Sequence, residues 1–463
     1  MTATTSSHRS ARERAVKALV QSYDGLIRGR DVLDRMQAEG PLSVVDAALA
    51  SELVSGVLRH RITLEHICAQ FYRGRWEGLR PAVRMILAVA AYQLCWLDRI
   101  PPHAAVNEAV KHARRHGKGA AGVVNAVLRQ ITECRGDVSA YSTDVDPRRW
   151  LVLDAERGRR FEQDLFPDPA RRPLDYLVTA TSHPMYLVER WHRRFKPAGC
   201  RQICEAGRSR PPLVLRVNTM RTSAEALTAR LEAAGHRCVC VSDPDAVVLP
   251  DHPSIADTPE FAEGLCQPQD LTSQRALLLA PPASDEFVLD FCAGVGTKST
   301  QAAERMGNRG LVVAADVDAS RLERISENAA RLGISIVQKC PSPELPAALA
   351  RIGRKPDLIV VDAPCTNTGV LSRRLEARYR ASHRHLQEMA ALQKELLGQA
   401  AEIAGPRTRI IYSTCSIERE ENEDVIAEFV GRHDGWQVVK QEFVLPDVAR
   451  GGGYAALLMR DSA

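Results

Sequence analysis

Leu358-Ile359-Val360-Val361-Asp362-Ala363-Pro364-Cys365 decides the fold of this chain. The apolar run reads as a buried strand, and the acid, proline and cysteine follow at its carboxyl end. Ile410-Ile411-Tyr412 running into Ser413-Thr414-Cys415-Ser416 repeats the design. In open α/β sheets ligands bind and chemistry occurs at that edge. Two thiols delivered there beside an acid point to covalent chemistry on an electrophilic ring.

Outward from these segments, from Glu286 on, the pattern is regular. Strands are expected at 287–291, 311–315, 334–338, 357–361 and 408–413. Helices are expected from about 297 and over 319–332, 383–404 and 418–431, with a poorly defined helix before 357. Strands alternating with helices mean βαβ units and a mostly parallel, Rossmann-like sheet. Residues 281–463 form this catalytic domain. Residues 177–280 mix strands and helices, with a strand at Leu213–Val217 and a Ser/Thr-capped helix from Ser223 to Ala234, so a small α+β connecting subdomain is expected. Residues 136–176, rich in Asp, Arg and Pro, read as a linker or insertion. Residues 8–135 read as an all-α module: Val16, Leu19 and Val20, then Leu53, Val54, Val57 and Leu58, then Val83, Ile86, Leu87 and Val89 recur at helical spacing. Pro81 opens the third of these helices.

Composition sets the class. With 463 residues, 45% apolar and 26% charged, the chain is long enough for two or three globular domains. No stretch approaches a membrane span, and Met1 to Arg14 lacks the apolar core of an export signal. A cytoplasmic protein without membrane partners is expected. Twelve scattered cysteines fit a reducing compartment. Cys200-x-x-x-Cys204 and Cys238-x-Cys240 have no matching His/Cys pair at zinc-site spacing, so no metal is expected and they read as core residues. The net charge of +5 is unevenly spread: residues 1–135 hold 20 Lys/Arg against 12 Asp/Glu. The run Lys111-His112-Ala113-Arg114-Arg115-His116-Gly117-Lys118 is its densest part. A basic N-terminal third favours a polyanionic partner over a merely solvated helix surface.

The first strand of the regular region ends near Asp290 and enters Cys292-Ala293-Gly294-Val295-Gly296-Thr297-Lys298. Glycines there let backbone approach a ligand and start a helix. Asp316 closes the next strand, where a carboxylate can bind ribose hydroxyls. The pattern fits NAD, FAD or S-adenosylmethionine, or a purely structural turn. Ser299 stands where a third glycine would be, which argues against a pyrophosphate cofactor.

The thiols carry the reaction. A cysteine is strongly nucleophilic only as a thiolate. Cytosine and uracil resist electrophiles at C5 until a nucleophile adds at C6. The ring then takes a methyl group from a sulfonium, a base removes the C5 proton, and the thiolate leaves. Cys415, Cys365 and Asp362 supply a nucleophile, a second thiol and an acid for the ring's N3 edge. Either cysteine alone would read as a small buried hydrophobe; both together, one beside Asp-Ala-Pro, read as functional.

At these residues the chain resembles the RNA cytosine-5 methyltransferases: Asp362 through Val370, Tyr412 through Ser416, and Glu421-Asn422-Glu423 carry the likeness. The whole arrangement is similar to the bacterial 16S rRNA enzymes of the RsmB/Sun type. Arg99 through Ala105 and Val123 through Gln130 look like their NusB-like domain. Val188 through Trp191, Arg210 through Leu213 and Gln269 through Ser273 look like their connecting subdomain. The resemblance implies an S-adenosylmethionine-dependent enzyme forming 5-methylcytosine in 16S rRNA, free or in an early assembling subunit, and acting as a monomer. It further implies that Cys415 is the nucleophile, that Cys365 assists release, and that Asp362 lies between donor and ring. Cys292, Ala293, Gly294, Val295, Gly296, Thr297 and Lys298 would wrap the donor's methionine end, with Asp316 on its ribose. The family's acid after the third strand is absent: Lys339-Cys340-Pro341-Ser342 stands there. Alternative readings are the same chemistry on tRNA or 23S rRNA, or a non-catalytic ribosome assembly factor.

Overall fold

The structure is a computed structural model that describes residues 10–142, 144–241 and 245–460. Most of the stretch read for an export signal, and the last three residues of the expected catalytic domain, lie outside the described residues. The chain divides into two compact units, one running to Ser209 and including Arg374–Ala381, the other formed by Arg210–Arg373 and the chain from Ser382.

The first unit opens as the helical module expected. Its helices are Ala11–Gln21, Gly29–Glu39, Val44–Gln70, Pro81–Trp96, Pro102–Ala113 and Ala120–Cys134. Ser10 and Ser43 cap the first and third through side-chain oxygens that accept from Glu13 and Asp46 amides. Pro81 is the first residue of its helix, where a missing N–H costs nothing. Leu53, Val57, Met85, Leu87, Val124 and Leu128 form the buried seams.

The stretch 136–176, read as a linker or insertion, is largely folded. Three antiparallel strands, β1 (Arg135–Ala140), β2 (Trp150–Val152) and β3 (Arg157–Phe161), pair in the order β1-β3-β2. The reason they escape the sequence reading is Arg159. It occupies a core position of β3, so no apolar alternation marks the strand. Its guanidinium is 2% exposed and donates to the carbonyls of Cys95 and Gly136 and to Asp98.

Helices Pro173–Thr181 and Met185–Arg208 also belong to this unit, although the sequence reading grouped residues from 177 with the connecting subdomain. The second helix breaks at Lys196 (φ 61°), the residue before Pro197. Arg378, fully buried, closes the unit by donating to the carbonyls of Arg59, Ser182 and Gly207.

The second unit holds two sheets. The smaller comprises β4 (Leu213–Val217), β5 (Val239–Val241), β6 (Ala246–Leu249) and β7 (Cys266–Pro268), antiparallel in the order β5-β6-β4-β7. Helix Ala224–Ala233 packs on it through Leu227 and Leu231 and is capped by Ser223. Cys200 and Cys204 are buried as read, but the other pair is not: Cys238 is half-buried and Cys240 is exposed on the edge strand β5. Strand β5 lies at the edge of its sheet, and Val239 and Cys240 are both exposed there.

The larger sheet has seven strands, β8 (Phe287–Asp290), β9 (Leu311–Asp316), β10 (Val337–Pro341), β11 (Leu358–Asp362), β12 (Arg409–Thr414), β13 (Trp436–Val444) and β14 (Gly453–Arg460). Their order is β10-β9-β8-β11-β12-β14-β13, the first five parallel and the last two antiparallel. The parallel strands fall where expected, except that β10 starts at Val337 rather than 334. The helix expected over 418–431 begins at Glu423, after a short turn. The closing pair β13 and β14 was not expected; β13 is exposed along most of its length and lacks an apolar face to announce it. Chain order reverses between β8 and β11, and a doubly wound sheet opens a ligand crevice at that point.

Candidate active site

The loop after β8 makes one half of the crevice. Gly294 (φ 57°) and Gly296 (φ 79°) take the left-handed conformation that glycine adopts without penalty. A Cβ at Gly296 would also come within 3.0 Å of Ile325. Helix Thr297–Arg305 starts directly behind them. Asp316 at the end of β9, the acid expected on the ribose, accepts from the Gly294 amide (2.8 Å) and the Asp318 amide (2.9 Å), which joins it to the glycine loop. Asp290, 1% exposed, accepts from the Ser299 hydroxyl at 2.6 Å through Oδ2, while Oδ1 has no partner. Burial lifts its carboxyl to about 6, against the pull of Ser299. Burial also pushes the Cys292 thiol up, helped by Asp290, Asp362 and Asp316. Beside Asp316, Val317 leaves 86% of its surface in solvent.

The ends of β11 and β12 make the other half. These strands pair in register, Asp362 opposite Ser413, so the residues that follow emerge together. Cys365 and Cys415 bring their sulfurs to 3.3 Å. Asn367 (φ 61°) turns back between them: its amide nitrogen donates to the Cys365 carbonyl at 2.7 Å, and its oxygen accepts from the Cys415 thiol at 3.2 Å. Asparagine is among the few residues that visit this backbone region readily. The Cys365 thiol is pushed well up, first by its hydrogen bond with Cys415 and then by burial. Cys365 therefore keeps its proton and can donate it towards the Cys415 sulfur.

One ion pair joins the halves. Lys298, whose side chain is 6% exposed, places Nζ 2.6 Å from Asp362 Oδ2 and 3.2 Å from the Ser273 hydroxyl. The Ser413 hydroxyl donates to Asp362 Oδ1 at 2.8 Å. The last residue of the glycine loop thus fixes the acid beside the thiols, a link the sequence spacing did not reveal.

Support comes from the smaller sheet. Arg216 on β4 forms a two-pronged pair with Glu304 at 2.8 Å, and donates to the Thr297 carbonyl (2.9 Å) and Thr300 hydroxyl (3.1 Å). Both side chains are about 95% buried. Removing one partner of such a pair costs about 3–5 kcal/mol, because the other charge stays buried. The sheet is thereby anchored to the helix that begins at the glycine loop.

At the end of β10, where the family likeness leads one to look for an acid, Lys339 pairs with Glu323 at 2.6 Å and Cys340 is buried. Asn367, Asp290 and the Lys298–Asp362 pair escaped the sequence reading. Only Asn367 carried a signal, as a left-handed-tolerant residue two places after Cys365.

A glycine cradle and two paired thiols, set at the switch point of a doubly wound sheet, define a methyltransferase of the Rossmann-like class. The chain belongs to the 16S rRNA methyltransferase RsmB/F family, whose model matches residues 276–456. The NusB family matches residues 9–133, and the ferredoxin-like domain of RsmF/B-like methyltransferases matches 183–256. Among curated relatives, the probable ribosomal RNA small subunit methyltransferase B of Bacillus subtilis is 30% identical over 92% of this chain and 90% of its own. The ribosomal RNA small subunit methyltransferase B of Erwinia tasmaniensis is 33% identical over 84% and 82%. The crystal structure of PH0851 shares the fold, with a TM-score of 0.73 and 22% identity over 96% of this chain and 98% of that one.

Proposed function

We propose that this protein makes 5-methylcytosine in 16S rRNA through a covalent bond between Cys415 Sγ and C6 of the base. The observation that carries this reading is the pair of thiols in contact at the strand ends, beside Asp362 and across from the glycine cradle. The cradle fits S-adenosylmethionine. Gly294 leaves open space against the backbone, Asp316 offers a carboxylate to ribose hydroxyls, and Asp290 keeps a buried oxygen without a partner for a polar end. Residues Cys292 through Lys298 would hold the donor's methionine portion. When bound, the donor supplies a methyl group on a sulfonium, an electrophile for a carbon nucleophile.

The chain's own residues do the rest. Cys415 gives up its proton to water and its sulfur adds to C6; the C5=C6 electron pair moves to C5, which becomes the nucleophile. Asp362, held by Lys298 and Ser413, would bind the N3 edge of the ring once N3 takes up a proton. After methylation a base takes the proton from C5, the C5–H electron pair restores C5=C6, and the C6–S pair returns to Cys415. Cys365, in hydrogen-bond contact with the departing sulfur, assists this step. The target base would leave its stack to reach the crevice, and the basic helical unit would grip phosphates. The names of the relatives and the NusB-family match favour 16S rRNA over tRNA or 23S rRNA. A monomer in the cytoplasm, acting on free rRNA or an early assembling subunit, completes the reading. Among the described residues no helix is long and apolar enough to cross a membrane.

Purified protein incubated with 16S rRNA and labelled donor tests it. The expected product is labelled 5-methylcytosine. Cys415→Ala should abolish it, and Cys365→Ala should accumulate a protein–RNA adduct on denaturing gels. A Cys415→Ala protein with full activity would sink the mechanism.

A further inference from the structure

The two thiols sit on separate loops, and something must hold those loops at one spacing. The groups beside the cysteines converge on a single carboxylate. Glu421, completely buried, accepts through Oε1 from the Thr366 amide at 2.8 Å and from Gln393 Nε2 at 3.0 Å. Through Oε2 it accepts from the hydroxyls of Thr366 and Ser416. Thr366 directly follows Cys365, and Ser416 directly follows Cys415. Gln393 also donates to the carbonyl of Pro364 at 2.8 Å, on the other side of Cys365. Further bonds join the same loops without Glu421: the Gly369 amide donates to the Cys415 carbonyl (3.0 Å), the Ile417 amide donates to Thr368 Oγ1 (3.1 Å), and the Ser416 hydroxyl meets those of Thr366 (3.3 Å) and Thr368 (3.1 Å). Glu421 itself is pinned, its carbonyl accepting from the Tyr412 hydroxyl at 2.6 Å.

We propose that Glu421 is a positioning residue that clamps the two cysteine-bearing loops and so sets the distance between the attacking and the releasing thiol. It makes no hydrogen bond to either sulfur, and its charge adds to the Cys415 contact and burial in pushing the Cys365 thiol up. It acts by giving four donors, drawn from both loops and the helix His383–Ile403, one shared acceptor. A buried carboxylate is costly unless its oxygens are all hydrogen-bonded, and here four donors meet that need. Burial pushes the Glu421 carboxyl up, and the donors from Ser416, Thr366 and Gln393 pull it back towards the charged form. No other charged side chain is within ion-pair distance of Glu421 among the described residues, so the hydrogen bonds alone hold the loops to it.

The inference rests on the two-thiol reading, and its test separates the two. Glu421→Met keeps the volume and removes every acceptor. A displacement of about 1 Å at reacting groups can cost roughly a hundredfold in rate. The expected result is a kcat at least about tenfold lower, with the donor Kd and the RNA KM within about twofold of the parent. Glu421→Gln should recover part of the loss, because the hydroxyls of Thr366 and Ser416 can reverse and donate elsewhere. If Glu421→Met fails to bind donor, the double variant Thr366→Val, Ser416→Ala decides, since it removes two struts and leaves the carboxylate in place. In the Cys365→Ala background, either clamp variant should form the RNA adduct more slowly. A kcat within twofold of the parent, or a kcat loss matched by an equal loss of donor affinity, overturns the proposal. If Cys365→Ala alone gives no adduct, the release role of Cys365 fails, and Glu421 is then judged on kcat against donor Kd.

Discussion

The sulfurs of Cys365 and Cys415 stand 3.3 Å apart although fifty residues separate them in the chain. Asn367 links the Cys365 carbonyl to the Cys415 thiol, and Glu421 ties the residues that follow both cysteines. Two thiols in contact are also a dithiol that a peroxide can close. Hydrogen peroxide removes two electrons from the pair, an S–S bond forms, and the two thiol protons leave with the peroxide as two molecules of water. We expect treatment with peroxide to remove methyltransferase activity, and dithiothreitol to restore it. Peptide mass spectrometry should find Cys365 joined to Cys415, and donor binding at the glycine loop should survive. Activity that resists peroxide while both cysteines stay reduced would contradict the contact.

Asp316 holds the Gly294 amide of the cradle and the Asp318 amide, and is the carboxylate proposed for the donor's ribose. Hydrogen bonds to a charged group are worth about 1.5–3 kcal/mol each. Asp316→Ala should therefore weaken donor binding by roughly ten- to a hundredfold, at about 1.4 kcal/mol per factor of ten. Titration calorimetry with S-adenosylmethionine measures this. The kcat at saturating donor should change little, because the thiols lie on the other strand pair.

Asp290 makes stability depend on pH. Its carboxyl is raised from 3.8 to about 6 by burial. Below pH 3.8 folded and unfolded chains both hold the proton. As pH rises from 3.8 to 6 the unfolded chain ionises while the folded chain stays protonated, so the native state loses stability through this group. The whole effect is about 3 kcal/mol, complete above pH 6. Asp290→Asn, which keeps an acceptor for Ser299, removes that penalty. Its Tm relative to the parent should rise between pH 4.5 and pH 6.5 and then run level. A difference that stays constant over this range would show that Asp290 ionises normally.

Most of the catalytic domain was legible because its elements are locally consistent. Leu358–Val361 and Ile410–Tyr412 are buried on both faces of a parallel sheet, and such strands are apolar throughout. Helix 319–332 was bounded by residue because Asp318 caps its start and Gly333 takes the left-handed turn at its end. The three strands between Arg135 and Phe161 were not legible, since Arg159 is buried where a strand would announce itself with an apolar residue. Strand β13 was missed for the opposite reason, having an exposed face where a strand would show its apolar pattern.

The sequence by itself determined the chemistry on offer: two cysteines after two buried strands, an acid beside one of them, and a glycine turn before a helix with Asp316 downstream. These are properties of residue type and short-range spacing, and local rules reach them. Only the tertiary structure decided how those parts act on one another. Pairing β11 with β12 puts the sulfurs in contact, Lys298 crosses from the donor loop to Asp362, and Glu421 collects both cysteine loops. Each relation joins residues far apart in the chain, so it exists only once long-range strand pairing and burial have fixed both ends.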